Sequence, residues 1–157
     1  MKYVWFMLLA ACAALPALAE TGTIFPHFAS FKSNEVFMRE GPSKEHRVKW
    51  VYHRKGLPVE VLAQFDVWQH VRTQDGEEGW VHNAMLSNDR TVSVTGDAKV
   101  ELMSSSSGGS PVATVEPGAI GRLQTCDTMS CELKFGDTEG WLPRARLWGV
   151  YAAEKFD

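Results

Sequence analysis

The 157-residue chain is short of several things: it has three cysteines, seven prolines, 22% charged residues and a formal net charge of only −3. The near balance of charge excludes general affinity for nucleic acid, which depends on clustered cations neutralising phosphates. The 138 residues that follow residue 19 are too few for a Rossmann or TIM-barrel cofactor enzyme, which takes roughly 150–250 residues. No H-E-x-x-H, G-x-S-x-G, P-loop or G-x-G-x-x-G pattern occurs anywhere in the sequence. A metal centre needs three or four ligands at suitable spacing, and His46 and His53 lack companions. Neither a metal nor a cofactor is therefore expected. Beyond residue 19, no segment sustains helical apolar periodicity for three turns.

The one long apolar run is at the start. Residues 1–19, MKYVWFMLLAACAALPALA, place Lys2 ahead of an apolar stretch from Val4 to about Leu15. Pro16 then breaks the run, and Ala17-Leu18-Ala19 supplies small residues before Glu20. This is the logic of a secretory signal peptide cleaved after Ala19. The run is too short for a spanning helix, so the mature chain is expected to have no transmembrane segment. A competing reading takes Leu9-Ala10-Ala11-Cys12 as a lipobox, with Cys12 lipidated. Either way the product is exported, to the periplasm or beyond.

Export changes the meaning of the cysteines. Cys126 and Cys131 remain, an even number in an oxidising compartment. They flank Asp127-Thr128-Met129-Ser130, a polar stretch suited to a hairpin turn that would set them opposite one another. A disulfide between them is expected to pin one hairpin. Their C-x₄-C spacing differs from the redox-active C-x-x-C.

The rest alternates with period two. Val48, Trp50 and Tyr52 share one face of a strand, and Leu57, Val59, Val61, Ala63 and Phe65 alternate against Pro58, Glu60 and Gln64. Turns fall at Lys55-Gly56, Asp66 and Asp75-Gly76, and Gly79-Trp80-Val81-His82 makes a short closing strand. Such spacing predicts an all-β fold of small barrels. The plan then repeats. Val36 to Arg39 corresponds to Val100 to Met103, Gly56 to Gly118, and Glu78-Gly79-Trp80-Val81 to Glu139-Gly140-Trp141-Leu142. The unit is about 60 residues long, giving repeats at 28–90 and 91–152 and a tail at 153–157. Two barrels of this size are marginal alone, so packing between them is expected. Leu147 to Tyr151 reads as a final strand or an inter-repeat contact. Ser104 to Pro111, SSSSGGSP, reads as a flexible loop in the second repeat.

Val36-x-Met38-Arg39-Glu40-Gly41-Pro42-Ser43 resembles the opening V-N-L-R-x-G-P-S signature of bacterial Src homology 3 (SH3)-like domains, with Phe37 in place of the usual polar residue. The resemblance continues through Lys55-Gly56, Val59-x-Val61, Trp68 and Gly79-Trp80-Val81, and extends over the mature chain as two tandem repeats. The second is degenerate: serines replace the R-x-G-P-S part, and Trp68 has Ser130 as its counterpart. The resemblance implies two small SH3-like barrels without catalysis of their own, serving to bind cell-wall material, a peptide or a partner protein. SH3-like domains also accompany peptidoglycan hydrolases, but the thiol enzymes of that kind place cysteine before histidine. Here all five histidines precede Cys126 and Cys131.

Two features suit binding. Five tryptophans follow residue 19, and a groove near Trp68 and Trp80, edged by Tyr52, is the expected ligand contact. Arg39, Lys44, Arg47, Lys49, Arg54 and Lys55 concentrate six cations against Glu40 and Glu45, a basic stretch suited to an anionic envelope polymer, lipid surface or acidic partner. The bland readings are aromatic core packing and a solvated strand face. An alternative function is an envelope assembly protein that pairs through exposed sheet edges. A peptidoglycan-modifying enzyme is a distant third.

Overall fold

The computed structural model describes residues 23–156. The expected signal peptide, its expected cleavage after Ala19 and the Cys12 alternative lie outside the described residues. Within them every extended element is a β-strand, no α-helix forms, and two one-turn 3₁₀ segments complete the regular structure. No helix among the described residues is long and apolar enough to cross a membrane.

The strands form two antiparallel sheets of seven. The first contains β1 (His27–Phe31), β2 (Val36–Arg39), β3 (Val48–Tyr52), β4 (Pro58–Phe65), β5 (Trp68–Arg72), β6 (Glu78–His82) and β7 (Leu86–Ser87). The second contains β8 (Thr91–Val94), β9 (Val100–Ser105), β10 (Gly108–Val115), β11 (Ile120–Cys126), β12 (Ser130–Phe135), β13 (Thr138–Pro143) and β14 (Leu147–Trp148). Their spatial orders are β3-β2-β6-β5-β4-β1-β7 and β10-β9-β13-β12-β11-β8-β14. Position for position these are the same topology, so the internal repeat read from the sequence is a repeat of fold.

Alternation puts one apolar row inside each unit. Val36, Met38, Val59, Val61, Val71 and Val81 are completely buried in the first, and Val92, Val94, Leu102, Leu133 and Leu142 in the second. The two glycine-tryptophan pairs serve one purpose. A Cβ on Gly79 would stand 2.5 Å from Met38 Cγ and 2.8 Å from the Arg39 carbonyl; one on Gly140 would stand 2.6 Å from Leu102 Cγ and 2.8 Å from the Met103 carbonyl. Only glycine lets β6 cross β2, and β13 cross β9, that closely.

Ser104–Pro111 is a hairpin rather than a flexible loop. It joins β9 to β10, with Gly108 and Gly109 at φ 116° and 78°. The two glycines reach the positive φ that a tight reversal demands, and Ser104 Oγ accepts from the Ser110 N–H at 3.1 Å. The disulfide forms as expected: Cys126 and Cys131 are register partners in the β11–β12 hairpin, joined through their sulfurs. The Asp127 carboxylate accepts from the Met129 and Ser130 N–H groups at 2.8 and 2.7 Å, setting the turn between them.

Leu147 to Tyr151 does both things expected of it. Leu147 and Trp148 pair with β8, while Trp148 and Tyr151 pack on Phe28 of the first repeat at centroid distances of 5.4 and 4.6 Å. Beside them the Tyr151 hydroxyl donates to Glu60 Oε1 at 2.8 Å, and Arg72 donates to Glu60 Oε2 at 2.6 and 3.1 Å. Burial and the Glu60 carboxylate push the Tyr151 phenol above its ordinary range. Arg54 reaches the Gly118 carbonyl at 2.7 Å and Thr91 Oγ1 reaches the Gly56 carbonyl at 2.7 Å, so charge, hydrogen bonds and rings all join the two halves.

Candidate functional site

An apolar cleft lies on the outer face of the first repeat and grows from strand alternation. Val71 and Val81 point inward, so their neighbours point out: Trp68 and His70 on β5, Trp80 and His82 on β6. Trp68 stands opposite His82 in the register, and the His82 ring meets the indole edge-on at 5.3 Å. Trp68 is 7% exposed and forms a floor, while Phe37, projecting outward from β2, is 42% exposed and forms a wall. The 3₁₀ turn Asn83–Met85 supplies Ala84 and Met85 opposite. The cleft measures about 290 Å³, and its rim carries Arg39 and Lys44.

Polar contacts hold the walls in place. His82 Nδ1 accepts from the Ala84 N–H at 3.1 Å, which caps the 3₁₀ turn and puts the ring proton of the neutral histidine on Nε2. Arg39 donates through one guanidinium nitrogen to the Lys44 and His46 carbonyls at 3.1 and 2.8 Å, folding the loop between β2 and β3 back over the strand. In that loop the His46 ring occupies the space a Cβ on Gly41 would need, and Ser43 Oγ meets His46 Nδ1 at 2.9 Å. The Gly41-Pro42-Ser43 sequence is thus a seat for a histidine as well as a turn.

The structure brings Trp68, Arg39 and Lys44 together and places the other expected residues elsewhere. Tyr52 pairs with buried Val36 and packs on Phe31 at 5.3 Å, as part of the first core. Trp80 lies further along β6, tilted against His70 at 5.0 Å, and does not line the cleft. Among the remaining cations, Arg47 pairs with Glu40 and Lys49 with Glu77 at 2.8 Å; their hydrogen bonds hold both carboxyls below the usual range. Trp50 Nε1 also donates to Glu77, at 2.9 Å. Arg54 is committed to the second repeat, and the Lys55 side chain is exposed at the turn before β4. Two of the six cations are therefore paired with carboxylates, and two others stand at the cleft.

Phe37, His82 and Met85 were not among the expected residues. Phe37 was legible: it is the aromatic residue at an outward position, where the resembling family has a polar one. His82 and Met85 gave no comparable signal, because their roles depend on a one-turn helix of three residues.

The second repeat lacks this site. By register Ser130 and Pro143 occupy the places of Trp68 and His82, and Met103 that of Arg39. Floor and cationic rim are both missing. Among the described residues, no group of three or more His, Cys, Asp or Glu is placed to hold a metal ion.

The topology is that of an all-β protein with two seven-stranded antiparallel units, consistent with two SH3-like domains. Residues 32–88, which contain the whole cleft, match the family model of the bacterial SH3 domain. No curated protein matches the chain. Two solved structures from Trichomonas vaginalis are similar: NlpC1, at 14% identity and TM-score 0.37, and NlpC2, at 16% and 0.38. The alignments cover 82% of this chain in both cases and 48% and 51% of those proteins, so the chain spans about half their length.

Proposed function

We propose that the protein is an exported, non-catalytic binding module of the cell envelope, working through the apolar cleft of its first repeat. The observation that carries this reading is an apolar floor and wall, Trp68 and Phe37, rimmed by Arg39 and Lys44, inside the segment that matches the bacterial SH3 family. A half-exposed phenylalanine beside an aromatic floor costs solubility, and a ligand surface is the common reason for such a patch. The second repeat, lacking floor and rim, acts as a support. The disulfide favours an oxidising compartment, in keeping with export to the periplasm or medium.

The occupants in view are cell-wall material, a peptide or an envelope partner protein. Retention on insoluble peptidoglycan, titrated with salt, tests the first. Phe37→Ser and Trp68→Ala are expected to abolish retention, with Phe37→Ser keeping the wild-type circular dichroism because its side chain is outside the core. Wild-type protein that washes through at low salt would remove the cell-wall reading and leave peptide and protein partners. A second reading, assembly through sheet edges, rests on β3 and β10, which end their sheets and expose Trp50, Val51 and Val112. Light scattering at high concentration separates it: a strict monomer excludes self-assembly.

A further inference from the structure

We infer that the cleft recognises the carboxyl-terminal end of a peptide, taking its free α-carboxylate at Arg39 and Lys44 and its terminal apolar side chain on Trp68 and Phe37. The inference rests on the binding reading above and names the ligand class for that same site.

The charges that can meet a ligand are all of one kind. The lining holds two permanent cations and the Nε2–H of His82, with no carboxylate. The nearest acids are occupied elsewhere: Glu40 pairs with Arg47, and Glu45 is hydrogen-bonded by Ser43. Arg39 spends one guanidinium nitrogen on the two loop carbonyls and keeps the rest of its planar fork for an acceptor. Lys44 is exposed, and its ammonium has no partner among the described residues. The cleft is therefore almost wholly apolar inside, with two cationic side chains and no carboxylate around it.

Among peptide anions only the α-carboxylate shares its carbon with an apolar side chain. An internal Asp or Glu brings charge without an apolar group beyond it. An end residue such as alanine or leucine fits a cleft of about 290 Å³ whose rim and floor differ in this way. The surface beyond supports a peptide. Ala84 also borders a second, polar cavity of about 380 Å³, whose lining includes the amides of Gln69, Asn83 and Asn88. A chain leaving the cleft across the 3₁₀ turn finds neutral donors and acceptors there to match its backbone.

The test is a ¹⁵N–¹H titration of the mature chain with N-acetyl-Ala-Leu as the free acid and as the carboxamide. The acid is expected to shift the Phe37, Lys44, Ala84 and Met85 amides and to bind about tenfold more tightly than the carboxamide. Raising the salt concentration should narrow that gap. Lys44→Gln, whose side chain is exposed and makes no ion pair among the described residues, should remove most of the preference for the acid over the carboxamide. Equal binding of acid and amide at the cleft overturns the carboxylate inference and leaves the cleft as a binding site. Absence of both sets of shifts also overturns it; loss of peptidoglycan retention by Phe37→Ser would then show the broader reading surviving without it.

Discussion

Removing one oxygen from the junction between the repeats should cost the whole protein stability. Tyr151→Phe keeps the ring on Phe28 but deletes the hydroxyl that donates to Glu60 Oε1 at 2.8 Å. Glu60 is 5% exposed, so its orphaned oxygen has no easy replacement from water. A hydrogen bond to a charged acceptor contributes about 1.5–3 kcal/mol. Arg72 still neutralises the other oxygen, and the tyrosine edge is not fully enclosed, so about 2 kcal/mol is the working figure. For a chain of this size that corresponds to roughly 6–8 °C in melting temperature. Thermal and urea unfolding followed by circular dichroism read it directly. Glu60→Gln, alone and combined with Tyr151→Phe, closes a double-mutant cycle whose coupling should be about 1 kcal/mol. A Tyr151→Phe protein melting within a degree of wild type, or a cycle with no coupling, would refute the claim that this contact holds the halves together.

Other substitutions probe other parts. Gly140→Ala should destabilise by about 2–3 kcal/mol, because its Cβ would meet the Met103 carbonyl as well as Leu102; Gly79→Ala should match it, and urea midpoints report both. Reducing the Cys126–Cys131 bond, which closes a loop with a sequence separation of 5, should cost about 2 kcal/mol while leaving ligand affinity at the first-repeat cleft unchanged by titration. Burial works against ionisation of Glu154, but its hydrogen bonds from Arg90 win and hold the carboxyl below its ordinary value. Stability from that pair is fully present above about pH 4.3 and is lost as pH falls through the lowered folded value. Glu154→Gln should therefore flatten the acid limb of a stability-against-pH curve; an unchanged limb would count against the pair.

Much of this architecture was legible because its causes are local. Period-two alternation found the strands, repeated glycines at Gly56 and Gly118 found equivalent turns, and the polar stretch between Cys126 and Cys131 found its hairpin. What escaped depends on partners distant in sequence. Glu60 alternates as an outward polar residue, and it is outward from its own barrel; the second repeat then covers it with Tyr151. Tyr52 looked like a groove edge, yet register sets it beside Val36 and so over the first core. Trp80, expected beside Trp68, is two register pairs further along the sheet, opposite His70. The serine-glycine tract has a flexible composition but lies between two strands whose pairing its glycines allow. For the cleft, Trp68 was legible as an aromatic residue outside the shared core pattern. Its enclosure by His82 and Met85 belongs to a three-residue turn too short to leave a periodic signature.

The short link between the repeats is fastened on both sides. Ser30 Oγ donates to the Asp89 carbonyl at 2.8 Å, and Arg90 is clamped by Glu154 and the Gly149 carbonyl. A joint tied in this way transmits torque. On the binding role proposed above, a ligand held in the cleft would be presented at an angle set by the second repeat, and a pull on the carboxyl-terminal half would reach it as a turn of the whole body rather than as slack in a tether. In that role the second repeat would be a lever arm, which needs no cleft of its own.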